Sequence, residues 1–492
     1  MSPLLILGLI GAYFMLLYGI SLWTGKDNSN EAFFIGKKES PWYLVAFGMI
    51  GASLSGVTFI SVPGVVGNLE SINGAFSYMQ VVLGYLLGYF IIATVLMPMY
   101  YRMNLTSIYT YLEKRFGFWS YKTGASFFLL SRTIGAAFRL FLVALVLQKF
   151  VFDAWGVPFE INVLFTLILI WIYTSRAGIR TIVWTDSLQT SFMLLAVITT
   201  VYYIAQSMGL GFSGMISTIQ ESNYSQMFFF DDFNEGNHFI KQFLSGAFIA
   251  VVMTGLDQDM MQKNNSCKNI KEAQLNMFSF SVVLLFVNLL FVSLGALLYI
   301  YAAQNGIGIP ERTDELFPSL AIEHFPPAIG IIFLIGLIAA AYSSADSALT
   351  ALTTSFCVDF LDFEKKEASE LNKRTRYLVH IGFTLLVFAV IVVFYRLLDK
   401  DVISAVFRIA GYTYGPLLGL YALGLFTKRQ VPDTAAVVAV CVASPILCYL
   451  LNANSEAIFN GYKFGFELLL VNGFLTFAGL FLLSMVHGKQ QA

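Results

Sequence analysis

The chain is a succession of apolar runs, each long enough to cross a bilayer as a helix, with short polar segments between them. Thirteen such runs can be marked along the 492 residues, at about 3–23, 41–67, 76–100, 120–150, 158–175, 180–206, 238–262, 273–303, 328–361, 375–397, 401–427, 432–452 and 464–486. About 20 helical residues cross about 30 Å of hydrocarbon, so each run reads as a transmembrane helix. With 57% hydrophobic and 12% charged residues, a soluble protein of this length would have too thin a charged shell to cover its apolar surface. The runs fill nearly the whole chain, which predicts one all-α integral membrane domain and no separate soluble module.

Charge and cysteine usage narrow the class further. A net charge of −1 gives no reason to expect a nucleic-acid partner. Cys357, Cys441 and Cys448 fall in apolar runs and Cys267 in a basic loop, a pattern of reduced structural thiols rather than disulfides or metal ligands. The first run lacks a basic leader and a small-residue cleavage site, so it reads as a retained span. With the N-terminus outside, about twenty Lys and Arg residues fall in cytoplasmic loops, among them Lys26, Lys37, Lys38, Lys114, Arg115, Arg176, Arg180, Lys263, Lys365, Lys366, Arg376 and Lys489, against about six on the other face. The segment 207–237 has no Lys or Arg. The odd number of spans puts the C-terminus in the cytoplasm, and compact loops suit a bacterial cytoplasmic membrane.

Two spans are interrupted by small and polar residues. The second holds Gly51-Ala52-Ser53-Leu54-Ser55-Gly56-Val57-Thr58 where the bilayer centre falls, and the seventh closes with Thr254-Gly255-Leu256-Asp257-Gln258-Asp259. Interruptions in corresponding spans of two halves point to broken helices in an inverted-repeat transporter, with the second to sixth and seventh to eleventh spans as the repeats. Close helix packing is the other use of small residues in a membrane.

The ninth span carries a polar stripe. Ser343, Asp346, Ser347, Thr350 and Thr354 recur at spacings of three and four, which places them along one helix face. Serines can bond back to their own helix, but an intramembrane carboxylate is costly and marks a functional site. An oxygen-lined stripe suits a small hard cation. Asp186 in the sixth span is a second such carboxylate; it either completes a charged oxygen cage with those hydroxyls or pairs with Arg176 or Arg180.

A series of segments then resembles the sodium:solute symporter family, whose members include sugar, proline, pantothenate, iodide and sialic acid transporters. The series comprises Glu31-Ala32-Phe33-Phe34-Ile35-Gly36-Lys37, Thr58-Phe59-Ile60-Ser61-Val62-Pro63-Gly64, Tyr111-Leu112-Glu113-Lys114-Arg115-Phe116-Gly117, Trp184-Thr185-Asp186-Ser187-Leu188-Gln189, Gly255-Leu256-Asp257-Gln258-Asp259-Met260-Met261-Gln262, the stripe from Ser343, and Gly415-Pro416-Leu417-Leu418-Gly419-Leu420-Tyr421. The resemblance implies a leucine-transporter-type core of five plus five inverted-repeat helices over 41–427, with repeats 41–206 and 238–427. One extra span precedes it (1–24), and two spans and a short tail follow (432–492). It implies sodium as the coupling ion, held by the carbonyls of Gly51, Leu54 and Ala340 and the hydroxyls of Ser343 and Ser344. Some relatives hold a second sodium near the residue matching Asp186, with hydroxyls matching Ser343 and Ser347. Asp346 stands where those relatives offer a hydroxyl, which leaves that ligand set open.

The solute is less constrained. Arg132 and Arg139, seven residues apart, project to nearly the same face of the fourth span, and a buried guanidinium can hold a carboxylate through two parallel hydrogen bonds. In sialic acid transporters of the family an arginine of this span has that role; which of the two corresponds stays open, as does a salt bridge to Asp257 or Glu467. Thr58, Ser61 and Gln80 are candidate wall residues, and Phe76, Tyr78, Phe243, Phe248, Tyr412 and Tyr414 candidate gates. Sodium-coupled symport of a small polar organic solute, a sugar, an amino acid, or sialic acid or another carboxylate, by a monomer is the expected function. A proton-coupled or inorganic-anion carrier of the same fold and a transporter-like sensor are the alternatives. The scattered histidines His238, His324, His380 and His487 form no catalytic motif, so an enzyme is not expected.

Overall fold

In a computed structural model describing residues 3–25, 29–175, 178–363, 370–397 and 402–491, the chain is helical, with no strand among the described residues. Among the described residues the thirteen long helices are α1 (Pro3–Thr24), α2 (Trp42–Val65), α3 (Tyr78–Met103), α4 (Phe118–Trp155), α5 (Phe159–Thr174), α6 (Ile179–Ser207), α7 (Phe239–Gly255 continued by Gln258–Asn265), α8 (Ile270–Gln304), α9 (Pro327–Phe360), α10 (Glu370–Leu397), α11 (Val402–Phe426), α12 (Ala436–Ala453) and α13 (Leu468–Gln491). They follow the thirteen apolar runs one for one. Eleven are long and apolar enough to cross a membrane, α7 qualifies as a bent pair, and α5 is a shorter apolar helix.

Burial sorts the helices. Within its most apolar window α2 is 89% buried, against 22% for α12, so α2 runs through the middle of the bundle while α12 lies at its edge. Around α2 pack α4, α6, α8 and α9, and α9 also packs on α6 and α4. Small residues permit this density. A Cβ on Gly84 of α3 would lie 2.1 Å from the Phe243 carbonyl oxygen, and one on Gly246 of α7 would lie 2.1 Å from that of Val81. The backbones of α3 and α7 therefore touch, as small residues allow in membranes.

Both sequence interruptions are real breaks. Ser55 in α2 has φ 58° and ψ 177°, a conformation outside the helical range. The carbonyls of the turn before it are thereby freed from their usual helical N–H partners. In α7 the axis bends by 64° between the two halves, after a π-turn at Val251–Gly255. Asp257 restarts the helix as an N-cap, its carboxylate accepting from the Asp259 N–H at 2.9 Å.

Four of the basic residues assigned to cytoplasmic loops, Lys26, Arg176, Lys365 and Lys366, lie outside the described residues. Arg376 is not a loop charge. It is 1% exposed, with its guanidinium 2.8 Å from Asn30 Oδ1 and 4.4 Å from the Phe33 ring centre, because a short helix at Asn30–Ile35 folds over that end of the bundle.

Candidate ion and solute site

The polar stripe of α9 is buried along its length and faces α5, α6 and α7. Ser343 donates to Asp186 Oδ1 at 2.6 Å and Ser347 to Asp186 Oδ2 at 3.4 Å, so α6 and α9 meet through this carboxylate. A hydroxyl has one proton and two lone pairs. Having given its proton to Asp186, Ser343 keeps its lone pairs for a cation. Ser344 beside it is fully buried, and Arg139 Nη1 donates to its hydroxyl at 3.5 Å.

The break in α2 is pressed against the same helices. Glycine at 48 and 51 lets α2 lie on α6: a Cβ at Gly48 would be 2.9 Å from Asp186 Cβ, and one at Gly51 only 2.4 Å from Thr190 Oγ1. The Gly51 N–H donates to Thr190 Oγ1 at 3.1 Å. Gly51 and Leu54 thus lie in the turn that precedes the break, while Ala340, Ser343 and Ser344 occupy the buried middle of α9, which packs on α2.

Two features depart from the sequence reading. Arg176 lies outside the described residues, and among the described ones the ion-pair partner of Asp186 is not Arg180 but Lys263, whose Nζ lies 2.7 Å from Oδ2 with both side chains at most 2% exposed. Lys263, counted above as a loop charge, belongs to the second half of α7, which the bend turns inward. Asp346 does not share the cage around Asp186. It turns toward α5, where the Tyr173 hydroxyl donates to it at 2.7 Å and the Ser347 N–H at 2.5 Å. Ser347 is therefore the link between the two carboxylates. Of the remaining stripe, Thr354 accepts from Gln262 Nε2 at 3.0 Å.

Next to the α2 break lies a cavity of about 70 Å³, lined by Ser53, Ser55 and Thr58 of α2, Tyr78, Tyr85 and Tyr89 of α3, Arg132 and Arg139 of α4, Asn288 of α8 and Phe407 of α11, among others. The two arginines differ sharply. Arg132 is ion-paired with Asp259 and lies 4.0 Å from Asp257, which also accepts from the Tyr414 hydroxyl at 2.5 Å. Arg139 has no carboxylate within 4.0 Å among the described residues; its one polar side-chain contact is Ser344. Glu467 is engaged by Lys241 at 3.6 Å.

Other candidates sit elsewhere. Gln80 does not line the cavity: its amide donates to the Asn237 carbonyl at 2.8 Å and accepts from the Phe229 N–H at 3.1 Å, which ties the 207–237 segment to α3. Ser61 is fully buried beyond the cavity wall. Of the proposed gates Tyr78 lines the cavity and stacks on Phe407, whereas Phe76 is buried, Phe243 stacks on Phe239, Phe248 packs against the core and Tyr412 bonds Asn452. Sequence reasoning missed Lys263, Tyr173 and Asn288. Asn288 is an amide in the middle of the apolar eighth run, well past Gln274 and Asn276 at its start, and Lys263 lies four residues after Asp259; each position could have drawn attention.

The sequence pattern of the sodium:solute symporter family matches residues 33–441. The sodium/sialic acid symporter of Aliivibrio fischeri is 25% identical over 463 residues, covering 92% of this chain and 88% of the relative. That of Proteus mirabilis is 23% identical, covering 86% and 84%. The human sodium/iodide cotransporter is 24% identical over 85% of this chain, which spans 65% of that relative's length. Among solved structures, a substrate-bound, outward-open sodium-coupled sialic acid symporter superposes with a TM-score of 0.81 at 20% identity, covering 98% of each chain. A nucleobase-cation-symport-1 transporter in a closed conformation gives 0.58 at 13% identity, covering 94% and 96%. The fold is the leucine-transporter type, and the relatives are transporters. The chain belongs to the sodium:solute symporter family and is a sodium-coupled membrane carrier of a small solute.

Proposed function

We propose that the solute is a small organic acid whose carboxylate is held by Arg139, and that sodium binds between α2 and α9 at the carbonyls of Gly51, Leu54 and Ala340 and the hydroxyls of Ser343 and Ser344. The observation that carries this reading is the buried guanidinium of Arg139, on the cavity wall and without a carboxylate partner among the described residues, beside a neighbour whose charge is already met. A buried charge is costly unless paired, and a solute carboxylate supplies the missing partner through a bidentate fork. The relatives named for sialic acid and iodide carry anions, which agrees with a cationic wall. Thr58, Tyr78 and Asn288 give the rest of the solute polar and aromatic contacts.

Coupling follows from the shared position of Ser344. Sodium on its hydroxyl and the solute on Arg139 meet across one hydrogen bond, so each ligand favours the arrangement of α2, α4 and α9 that the other needs. That is a reciprocal coupling free energy, with no covalent step. Within this reading the repeats are 41–206 and 238–427, supported by breaks five spans apart. The N-terminus lies outside and the C-terminus in a bacterial-type cytoplasm, supported by the basic loops. Within this reading the protein works as a monomer. Uptake of a panel of acids and their amides into proteoliposomes with external sodium, or with external potassium at equal ionic strength, tests the proposal. Sodium-driven uptake of an acid, lost in Arg139→Gln, is expected; uptake of neutral solutes alone overturns it.

A further inference from the structure

The family resemblance implies a second cation near Asp186 in some relatives, and the shell of that carboxylate shows whether one fits here. A carboxylate offers about four lone-pair sites. At Asp186 they face the Ser343 hydroxyl at 2.6 Å, the Ser347 hydroxyl at 3.4 Å, Lys263 Nζ at 2.7 Å and the Gln189 amide nitrogen, in the orientation its neighbours require, at 3.2 Å. Every neighbour is a donor and one is already a full positive charge. The lysine does not lie there by chance of a flexible side chain. Its helix is capped by Asp257, and the adjacent Gln262 is fixed on both sides, donating to the Phe34 carbonyl at 2.6 Å and to Thr354 at 3.0 Å.

We infer that Lys263 is a tethered cation standing where some relatives hold a second sodium, so that this protein binds one sodium ion per chain. The inference rests on the proposed sodium site at Ser343 and Ser344 for the identity of that one ion. The Lys263 ammonium, 2.7 Å from Oδ2, already supplies the positive charge a second sodium would bring to Asp186, and two cations on one buried carboxylate would repel in a medium that screens them poorly. Lys263 then acts as a positioning residue: it holds the Asp186 carboxylate toward Ser343, whose proton is thereby turned away from the sodium.

Equilibrium binding of radioactive sodium to the purified full-length protein, with thermal unfolding followed against sodium concentration, tests this. The wild type is expected to bind one sodium per chain with a Hill coefficient of 1. Lys263→Gln removes the tethered charge and leaves a carboxylate with two hydroxyls, so it is expected to bind two, with its unfolding temperature more strongly dependent on sodium than that of the wild type. Adding Asp186→Asn to that variant returns the count to one. Two sodium ions on the wild type overturn the inference without recourse to any variant, as does a folded Lys263→Gln that still binds one. Ser344→Ala separates the two ideas. Retention of the wild-type sodium in that variant sinks the proposed main site, whereas the ion gained by Lys263→Gln reports on the lysine alone.

Discussion

The contrast between the two arginines of α4 leads to opposite outcomes for one and the same substitution. Arg132→Gln removes the partner of two carboxylates, Asp257 and Asp259, that are 0% and 1% exposed. Breaking a buried ion pair from one side costs about 3–5 kcal/mol, a large share of the roughly 5–15 kcal/mol that holds a folded domain together. The variant should therefore unfold well below the wild-type temperature in detergent. Arg139→Gln gives up one 3.5 Å hydrogen bond to Ser344 and no ion pair, so its unfolding temperature should stay near that of the wild type. Its cost falls on the solute. Truncating one partner of a buried, hydrogen-bonded charge pair weakens binding by about 2–5 kcal/mol. At about 1.4 kcal/mol per tenfold, that is roughly 30-fold to a few thousand-fold in apparent affinity for the acid. Binding of the corresponding amide should change little. Arg139→Lys, which keeps charge but loses the fork, should fall between. Scanning fluorimetry and competition for uptake by acid and amide pairs read both quantities. An Arg139→Gln protein that still prefers the acid, or an Arg132→Gln protein with wild-type stability and lost acid preference, refutes the division of roles.

Other perturbations follow from the same geometry. Ser343→Ala and Ser344→Ala each remove a proposed sodium ligand and should raise half-saturating sodium for uptake on the order of tenfold, a loss of about 1.4 kcal/mol, with folding retained. Tyr173→Phe takes from Asp346 its 2.7 Å hydroxyl donor and should destabilise the protein by about 1–3 kcal/mol, read as a lower unfolding temperature. Gly246→Val drives a side chain into the Val81 carbonyl across the α3–α7 contact, at a cost of about 1–3 kcal/mol or more, and should depress both stability and uptake.

The fold was legible because a membrane imposes its requirements locally. Each span must be apolar over its own length, so α1 to α13 could be placed without knowing any tertiary contact, and the breaks at Ser55 and at Leu256-Asp257 showed as polar and small residues where hydrocarbon demands the opposite. The stripe on α9 was legible for the same reason. What the sequence withheld was partnership. Lys263 at a span end reads as a cytoplasmic charge under any hydropathy rule; only the 64° bend of α7 carries it to Asp186. Asp346 lies on the same helical face as Ser343, yet one hydrogen bond from Tyr173 of α5 turns it away from the cage. Arg132 and Arg139 are equivalent in spacing, and their difference comes from Asp257 and Asp259, more than a hundred residues away in sequence and brought alongside α4 by the fold. Gln80 looked like a wall residue because it is polar within a span, but its amide serves the backbone of the loop above it.

Thermal unfolding of the wild-type protein with a panel of small organic acids, in sodium and in potassium at equal ionic strength, bears most directly on the proposed symport. A ligand at 100 times its Kd stabilises the native state by about 2.7 kcal/mol. Stabilisation by an acid in sodium, absent in potassium and absent for its amide, is the expected result; an acid that stabilises equally in both salts, or a neutral solute that alone does so in sodium, would contradict it.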